Sequence, residues 1–177
     1  MYYVVQVKTG QEEKAIANIK KQLEDEEHFD VFSPYRKTLR KYKGVFKEVV
    51  ERCFLGYVFV ETDYPKDLFF SLYWTPGFTK LLGREGLTYN FLPLNEDETR
   101  MINILYARND NRITDISDII VHEGQIIRVL DGPLEGLLTN VKKVDLHKRE
   151  VVVEYQLCWR TVTSRLTINI ITDLINN

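Results

Sequence analysis

The chain has 177 residues, a formal net charge of -2, 44% hydrophobic and 28% charged residues, an ordinary globular composition rather than that of a disordered or fibrous protein. With so little net charge, any attraction to nucleic acid has to come from local patches. No run approaches the ~18 apolar residues of a membrane span, the start Met1-Tyr2-Tyr3-Val4-Val5-Gln6-Val7-Lys8 lacks the features of a signal peptide, and Cys53 and Cys158 lie far apart. A cytoplasmic protein with two core thiols is expected, without a disulfide framework, a metal site or a cofactor.

In chain order, residues 2–8 are rich in Tyr and Val and predict a strand, after which Gly10 opens a helix carrying Ala15, Ile16, Ile19 and Leu23 at helical spacing. Residues 29–32 predict a strand and the segment around Gly44 a long hairpin. Between residues 35 and 47, Arg36, Lys37, Arg40, Lys41, Lys43 and Lys47 occur with Tyr35, Tyr42 and Phe46 and no acidic residue. Two readings stand: a solvated hairpin whose lysines guard an exposed edge, or a surface that contacts phosphates. The run 53–61 is apolar on both faces and predicts a central strand covered on both sides.

Residues 65–74 predict a short helix started by Pro65, with more apolar surface in Leu68, Phe69, Phe70, Leu72, Tyr73 and Trp74 than one face can bury. That surplus is either a wide core stripe or a partner surface. Residues 78–82 predict another strand, and Asn95 caps a helix with Glu98 in the capping-box position and Met101, Ile102, Leu105 and Tyr106 as its buried stripe. The polar segment 108–118 has no apolar period and predicts a linker between domains at 1–107 and 119–177. Beyond it, the runs 119–121, 126–130, 137–144, 151–157, 161–166 and 168–171 are short and β-rich, at the spacing of a small barrel. The turn Asp131-Gly132-Pro133 breaks the strand pattern, which resumes at Val141.

Enzymatic signatures are absent. His28, His122 and His147 are isolated, no nucleophile-elbow, zinc-protease or phosphate-loop motif occurs, and the carboxylates at 24–27 sit at a solvated helix end. Paired carboxylates can still meet in three dimensions, so catalysis is disfavoured on sequence grounds without being ruled out.

Several motifs, in this order and spacing, resemble the NusG/RfaH family of transcription elongation factors. They are Tyr2-Tyr3-Val4-Val5-Gln6 with Thr9-Gly10 and Glu13-Lys14, then Phe54-Leu55-Gly56-Tyr57-Val58-Phe59-Val60, Thr75-Pro76-Gly77-Phe78, Leu92-Pro93-Leu94 and, like a KOW motif, Val129-Leu130-Asp131-Gly132-Pro133-Leu134-Glu135-Gly136. Leu55 departs from the family's proline, Thr139 from its frequent glycine, and Cys158-Trp159-Arg160 from its Phe-Gly-Arg. The last departure puts contacts with ribosomal protein and termination factor in doubt. Lys8-Thr9-Gly10, Glu12-Glu13-Lys14 and the basic hairpin look more like the LoaP antiterminators.

The resemblance implies an α+β protein: an N-terminal antiparallel sheet flanked by helices, linked to a KOW SH3-like barrel. It implies docking of the N-terminal domain on the clamp helices of RNA polymerase by a monomer, with Phe54, Tyr57 and Phe59 as the contributors to the contact, although all three could equally be core. Val58 and Val60, on the other side of the strand, are expected in the core. It also implies recruitment by a hairpin in the nascent leader RNA, read by Lys142, Lys143, Lys148, Arg149, Arg160 and Arg165 with Trp159 stacking on a base. The hairpin 35–47 is the competing site and could track DNA beside the polymerase. A ribosome-associated KOW protein and a peptide-binding adaptor using Trp159 and Tyr155 remain as alternatives.

Overall fold

A computed structural model describes residues 1–23, 28–76, 80–81, 92–106, 111–123 and 125–171. The carboxylates 24–27, the Gly77-Phe78 half of the Thr-Pro-Gly-Phe turn, and the first residues of the expected linker, 108–110, lie outside them. Two compact units are present: one holds Met1–Pro34, Phe54–Thr99 and Gln156–Arg160, the other Tyr35–Cys53, Arg100–Tyr155 and Thr161–Asn177.

The first unit is built on an antiparallel sheet of β1 (Tyr2–Gln6), β2 (Asp30–Phe32), β5 (Tyr57–Glu61) and β6 (Lys80–Leu81), in the order β2-β5-β1-β6. Alternation sends Tyr3, Val5, Val58, Val60 and Val31 to one face, where they pack with Ile19 and Leu23 of the α1 region (α1, Glu12–Gln22) and Leu68 and Leu72 of α2 (Pro65–Tyr73). The expectation that Val58 and Val60 are core holds. The central position of β5 accounts for its apolar character on both faces. Its strand begins at Tyr57 rather than Cys53, because Gly56 turns the chain at φ +81 and donates its N–H to the buried Glu12 carboxylate at 2.7 Å. A Cβ at Gly56 would lie 3.1 Å from Thr9 Oγ1 and 3.3 Å from the Val7 carbonyl oxygen, which explains the glycine in that motif.

The expected capping box starts α3 (Glu96–Tyr106). Asn95 Oδ1 accepts the Glu98 N–H at 2.9 Å and Glu98 Oε2 accepts the Asn95 N–H at 2.8 Å. Met101, Ile102, Leu105 and Tyr106 are buried, as their spacing predicts.

In the second unit, β3 (Tyr35–Tyr42) and β4 (Val45–Arg52) form the long hairpin about Lys43 and Gly44, and β7 (Ile113–Thr114) pairs in parallel with β3. A five-stranded sheet runs β10-β11-β12-β8-β9, with β8 (Ser117–His122), β9 (Gln125–Asp131), β10 (Val141–Asp145), β11 (Glu150–Leu157) and β12 (Arg160–Ile170). It curls into a nearly closed barrel-like sheet, so the chain is α+β as the sequence indicates.

Two details of the predicted strands are corrected. Residues 133–140, which take in the first half of the expected 137–144 run, form a 3-10 helix. Gly132 sits at φ +100, where a Cβ would lie 2.5 Å from Ser117 Cα, and Pro133 then starts the helix while Ser117 Oγ accepts the Leu134 N–H at 3.0 Å. The runs 161–166 and 168–171 merge into one strand, β12, which ends at Ile170, because Thr167 is buried within it and does not interrupt the ladder.

Candidate partner and nucleic-acid interfaces

The second face of the first sheet carries Tyr2, Val4 and Gln6 opposite Glu61, Phe59 and Tyr57, with Phe32 beside Phe59. Phe54 and Phe59 are 1% and 0% exposed. Their rings lie 5.6 Å apart, Phe59 stacks on Phe32 at 5.8 Å, and Tyr2 meets Phe32 edge-on at 6.3 Å. Of the three residues assigned to polymerase contact, only Tyr57 is half-buried rather than buried.

The turn Gln156–Arg160 belongs to this same unit. Glu98 Oε1, left over from the capping box, accepts the Cys158 N–H at 2.7 Å, and Arg160 Nη1 donates to Gln6 Oε1 at 3.0 Å. Arg160 is thereby held next to Tyr57's strand partner on the aromatic face. Cys158 and Trp159 take φ values of 48 and 68, a left-handed pair that non-glycine residues rarely adopt. Burial, with the Glu98 carboxylate second, pushes the Cys158 thiol up to about 12. Trp159 is 79% exposed. On α2, Phe70, Tyr73 and Trp74 are also exposed while Leu68 and Leu72 fill the core, so the apolar surplus of that helix faces outward.

The cations of the hairpin divide by strand geometry. Arg36 is buried, with Nη2 at 2.9 Å from Glu150 Oε1 and 3.3 Å from Glu51 Oε2, and Nη1 at 3.4 Å from Thr167 Oγ1. Lys37 pairs with Asp115 at 3.1 Å and Glu48 at 3.8 Å, which raises its pKa, chiefly through the Asp115 hydrogen bond. Arg40 pairs with Glu51. Lys41 lies 5.9 Å over the Phe46 ring, and Lys43 and Lys47 lie 5.6 and 5.3 Å over Tyr42.

Among the C-terminal candidates, Lys142 pairs with Glu154 at 3.1 Å, Lys143 is exposed, and Arg165 reaches Glu150 at 3.6 Å. Arg149, at φ 56, donates to Asn169 Oδ1 at 3.0 Å and places its guanidinium 4.6 Å over Phe46. The turn before it is pinned by Asp145, whose Oδ1 accepts the Lys148 N–H at 2.9 Å and whose carboxyl is thereby held below the usual range.

The fold brings Arg36, Arg40, Lys41, Lys148, Arg149 and Arg165 to one cleft of about 720 Å³ with Phe46, His147, Glu51 and Glu150. Lys37, Lys43, Lys47, Lys142, Lys143, Trp159 and Arg160 do not line it. Sequence reasoning missed Glu51 and Glu150 as partners of Arg36, and Gln6 and Glu98 as holders of the 156–160 turn. Glu98 carried a local signal in its capping box; Glu150 lies 114 positions from Arg36 and carried none. No group of His, Cys, Asp and Glu among the described residues could hold a metal ion, and no described helix is long and apolar enough to cross a membrane.

Comparison with known proteins gives a family match, "Transcription termination factor nusG", over residues 1–103. The chain is similar to the transcription termination/antitermination protein NusG of Bacillus subtilis, 31% identical over 156 residues and 86% of each chain. It is also similar to the protein of that name from Thermus thermophilus, 28% identical over 162 residues and 86% of each chain. Among solved structures, "Domain interaction in Thermotoga maritima NusG" superposes with a TM-score of 0.55 at 21% identity, over 94% of this chain and 92% of that one, a likeness of fold.

Proposed function

The chain belongs to the NusG family, and from that premise we propose that it is a transcription elongation and antitermination factor that makes and breaks no bond. It binds the clamp helices of RNA polymerase through residues 1–107, suppresses pausing and termination, and is brought to particular operons by nascent RNA. The observation that carries the reading is the family match over 1–103, the stretch that supplies the aromatic sheet face with Phe54, Tyr57 and Phe59. Of these, Tyr57 is the accessible contact, and the two buried rings shape the surface beneath it.

The division into 1–107, a linker at 108–118 and a KOW domain at 119–177 belongs to the same reading. It is supported by the five-stranded sheet, all of whose strands lie within residues 117–170. The LoaP-like specialisation rests on the basic hairpin and on Cys158-Trp159-Arg160 in place of Phe-Gly-Arg. A general NusG-type factor is the second reading, favoured by the names of the relatives.

Affinity purification of the full chain from cells tests the core of the proposal. Recovery of RNA polymerase is expected; recovery of ribosomes without polymerase would overturn it. Transcription of leader templates with and without their RNA hairpin separates the two readings: a specialised factor suppresses termination only where the hairpin is present, and a general one acts on both.

A further inference from the structure

The two basic segments that compete as nucleic-acid sites in the sequence line one cleft, and we propose that this cleft is a single binding site for the phosphodiester backbone of a nucleic-acid strand. It is formed jointly by the hairpin β3–β4 and the β10–β11 turn. The inference rests on the reading of the chain as a nucleic-acid-recruited transcription factor, and it names the place where the strand is held.

The charge balance of the cleft favours an anion. Six cationic side chains line it against two carboxylates, those of Glu51 and Glu150. Both carboxylates are engaged with arginines: Glu51 with Arg36 and Arg40, Glu150 with Arg36 and Arg165. Lys41 and Arg149 form no ion pair with a carboxylate among the described residues, Lys148 has only the adjacent Asp145 carboxyl acting on its charge, and the two lysines are exposed. A cleft with this excess of cations, set in a concave wall, focuses positive potential where a phosphate would enter.

The site is also arranged in advance. Arg149 is held by three constraints: the left-handed backbone at φ 56, the hydrogen bond to Asn169, and the Phe46 ring 4.6 Å below its guanidinium. A non-glycine residue in that conformation is strained and persists where its surroundings impose it, commonly at binding sites. Phe46 is contacted by both Lys41 and Arg149, so one aromatic ring fixes the spacing of a cation from each segment. The volume of about 720 Å³ lies in the range of ligand clefts and suits a short stretch of a single strand rather than a free phosphate ion alone. The buried Arg36 does not contact the strand. It ties the two walls together through Glu51 and Glu150, and acts as a positioning residue.

The test uses the full chain and two labelled probes, oligouridylate and oligothymidylate of twelve nucleotides, with binding followed by fluorescence anisotropy across a salt series. A phosphate contact on a single strand contributes a slope of about 0.7 in log affinity against log salt, or about fivefold in affinity at 0.1 M salt. Lys41→Ala and Lys148→Ala are each expected to lose about that much, and the double variant about 25-fold with a slope flatter by about 1.4. Lys20→Ala, on the solvent side of α1, controls for the loss of one exposed charge and is expected to bind as the parent does.

Circular dichroism melting of each variant accompanies the titrations, and Lys41→Arg and Lys148→Arg are expected to restore the slope. Loss with oligouridylate alone would assign the site to RNA, and loss with oligothymidylate alone to a DNA strand; either carries the proposal. Unchanged affinity and slope for the double variant, or an equal loss for Lys20→Ala, would overturn it. Polymerase recovery by the double variant is a separate readout: its retention alongside lost strand binding confines the defect to the cleft, whereas failure of the parent chain to recover polymerase would defeat the functional reading and leave the cleft measurement standing.

Discussion

Replacing Phe59 by alanine separates a structural role from a contact role on the aromatic face. Phe59 is 0% exposed, sits in the middle of the ladder between Val4 and Phe32, and packs its ring at 5.8 Å from Phe32 and 5.6 Å from Phe54. Truncation of a buried phenylalanine costs about 3–5 kcal/mol, of which each lost aromatic pair supplies about 0.5–1.5 kcal/mol. Against a typical total of about 5–15 kcal/mol, that is a large share of the fold's stability. Tyr57, half-buried at the start of the same strand, has fewer contacts to lose, and Tyr57→Ala is expected to cost about 1 kcal/mol. Urea unfolding followed by far-ultraviolet circular dichroism gives both numbers, and polymerase recovery is measured on the same preparations. The expected pattern is an early-unfolding Phe59→Ala and a stable Tyr57→Ala with weakened polymerase binding. A Phe59→Ala variant that loses polymerase yet costs less than about 1 kcal/mol of stability would refute the argument from burial.

Arg36→Ala is expected to destabilise the chain by about 3–5 kcal/mol, since it leaves Glu51 and Glu150 without their buried partner, and Arg36→Met with Glu150→Gln should recover part of that loss in the same unfolding assay. Asn95→Ala should cost about 1 kcal/mol by removing the α3 cap, read as a shift in urea midpoint. Alkaline pH should weaken the fold: the folded Cys158 thiol is raised from 9.0 to about 12 and keeps its proton while the unfolded chain loses it, so stability present below about pH 9 falls by up to about 1.4 kcal/mol per pH unit as pH rises towards the folded value. Cys53 and Tyr155, raised by burial, act in the same direction, and Cys158→Ser should shallow the decline in a pH series of urea midpoints. Arg160→Ala releases the 156–160 turn from Gln6, and faster proteolytic cleavage at that turn is the expected outcome.

What could be read from the sequence follows the range of each interaction. The alternation of Val58 and Val60 against Tyr57 and Phe59 and the Asn95-to-Glu98 capping box are local patterns, and they place β5 and α3 correctly. The 3-10 helix at Pro133–Asn140 was hidden because its leucines resemble a strand run; the determining fact is the 2.5 Å separation between a Cβ at position 132 and Ser117 Cα, fifteen residues earlier in the chain. The basic run 35–47 shows the same limit for function. As a sequence it is one patch of six cations, but a strand alternates, so Arg36 turns inward to a carboxylate 114 positions away while Lys37 meets Asp115 and Arg40 meets Glu51. The cations of the cleft left to act on a ligand are those that form no ion pair with Glu51 or Glu150. Lys41, Lys148 and Arg149 therefore emerge as a group only in three dimensions, across a sequence interval whose own charges give no hint of the pairing.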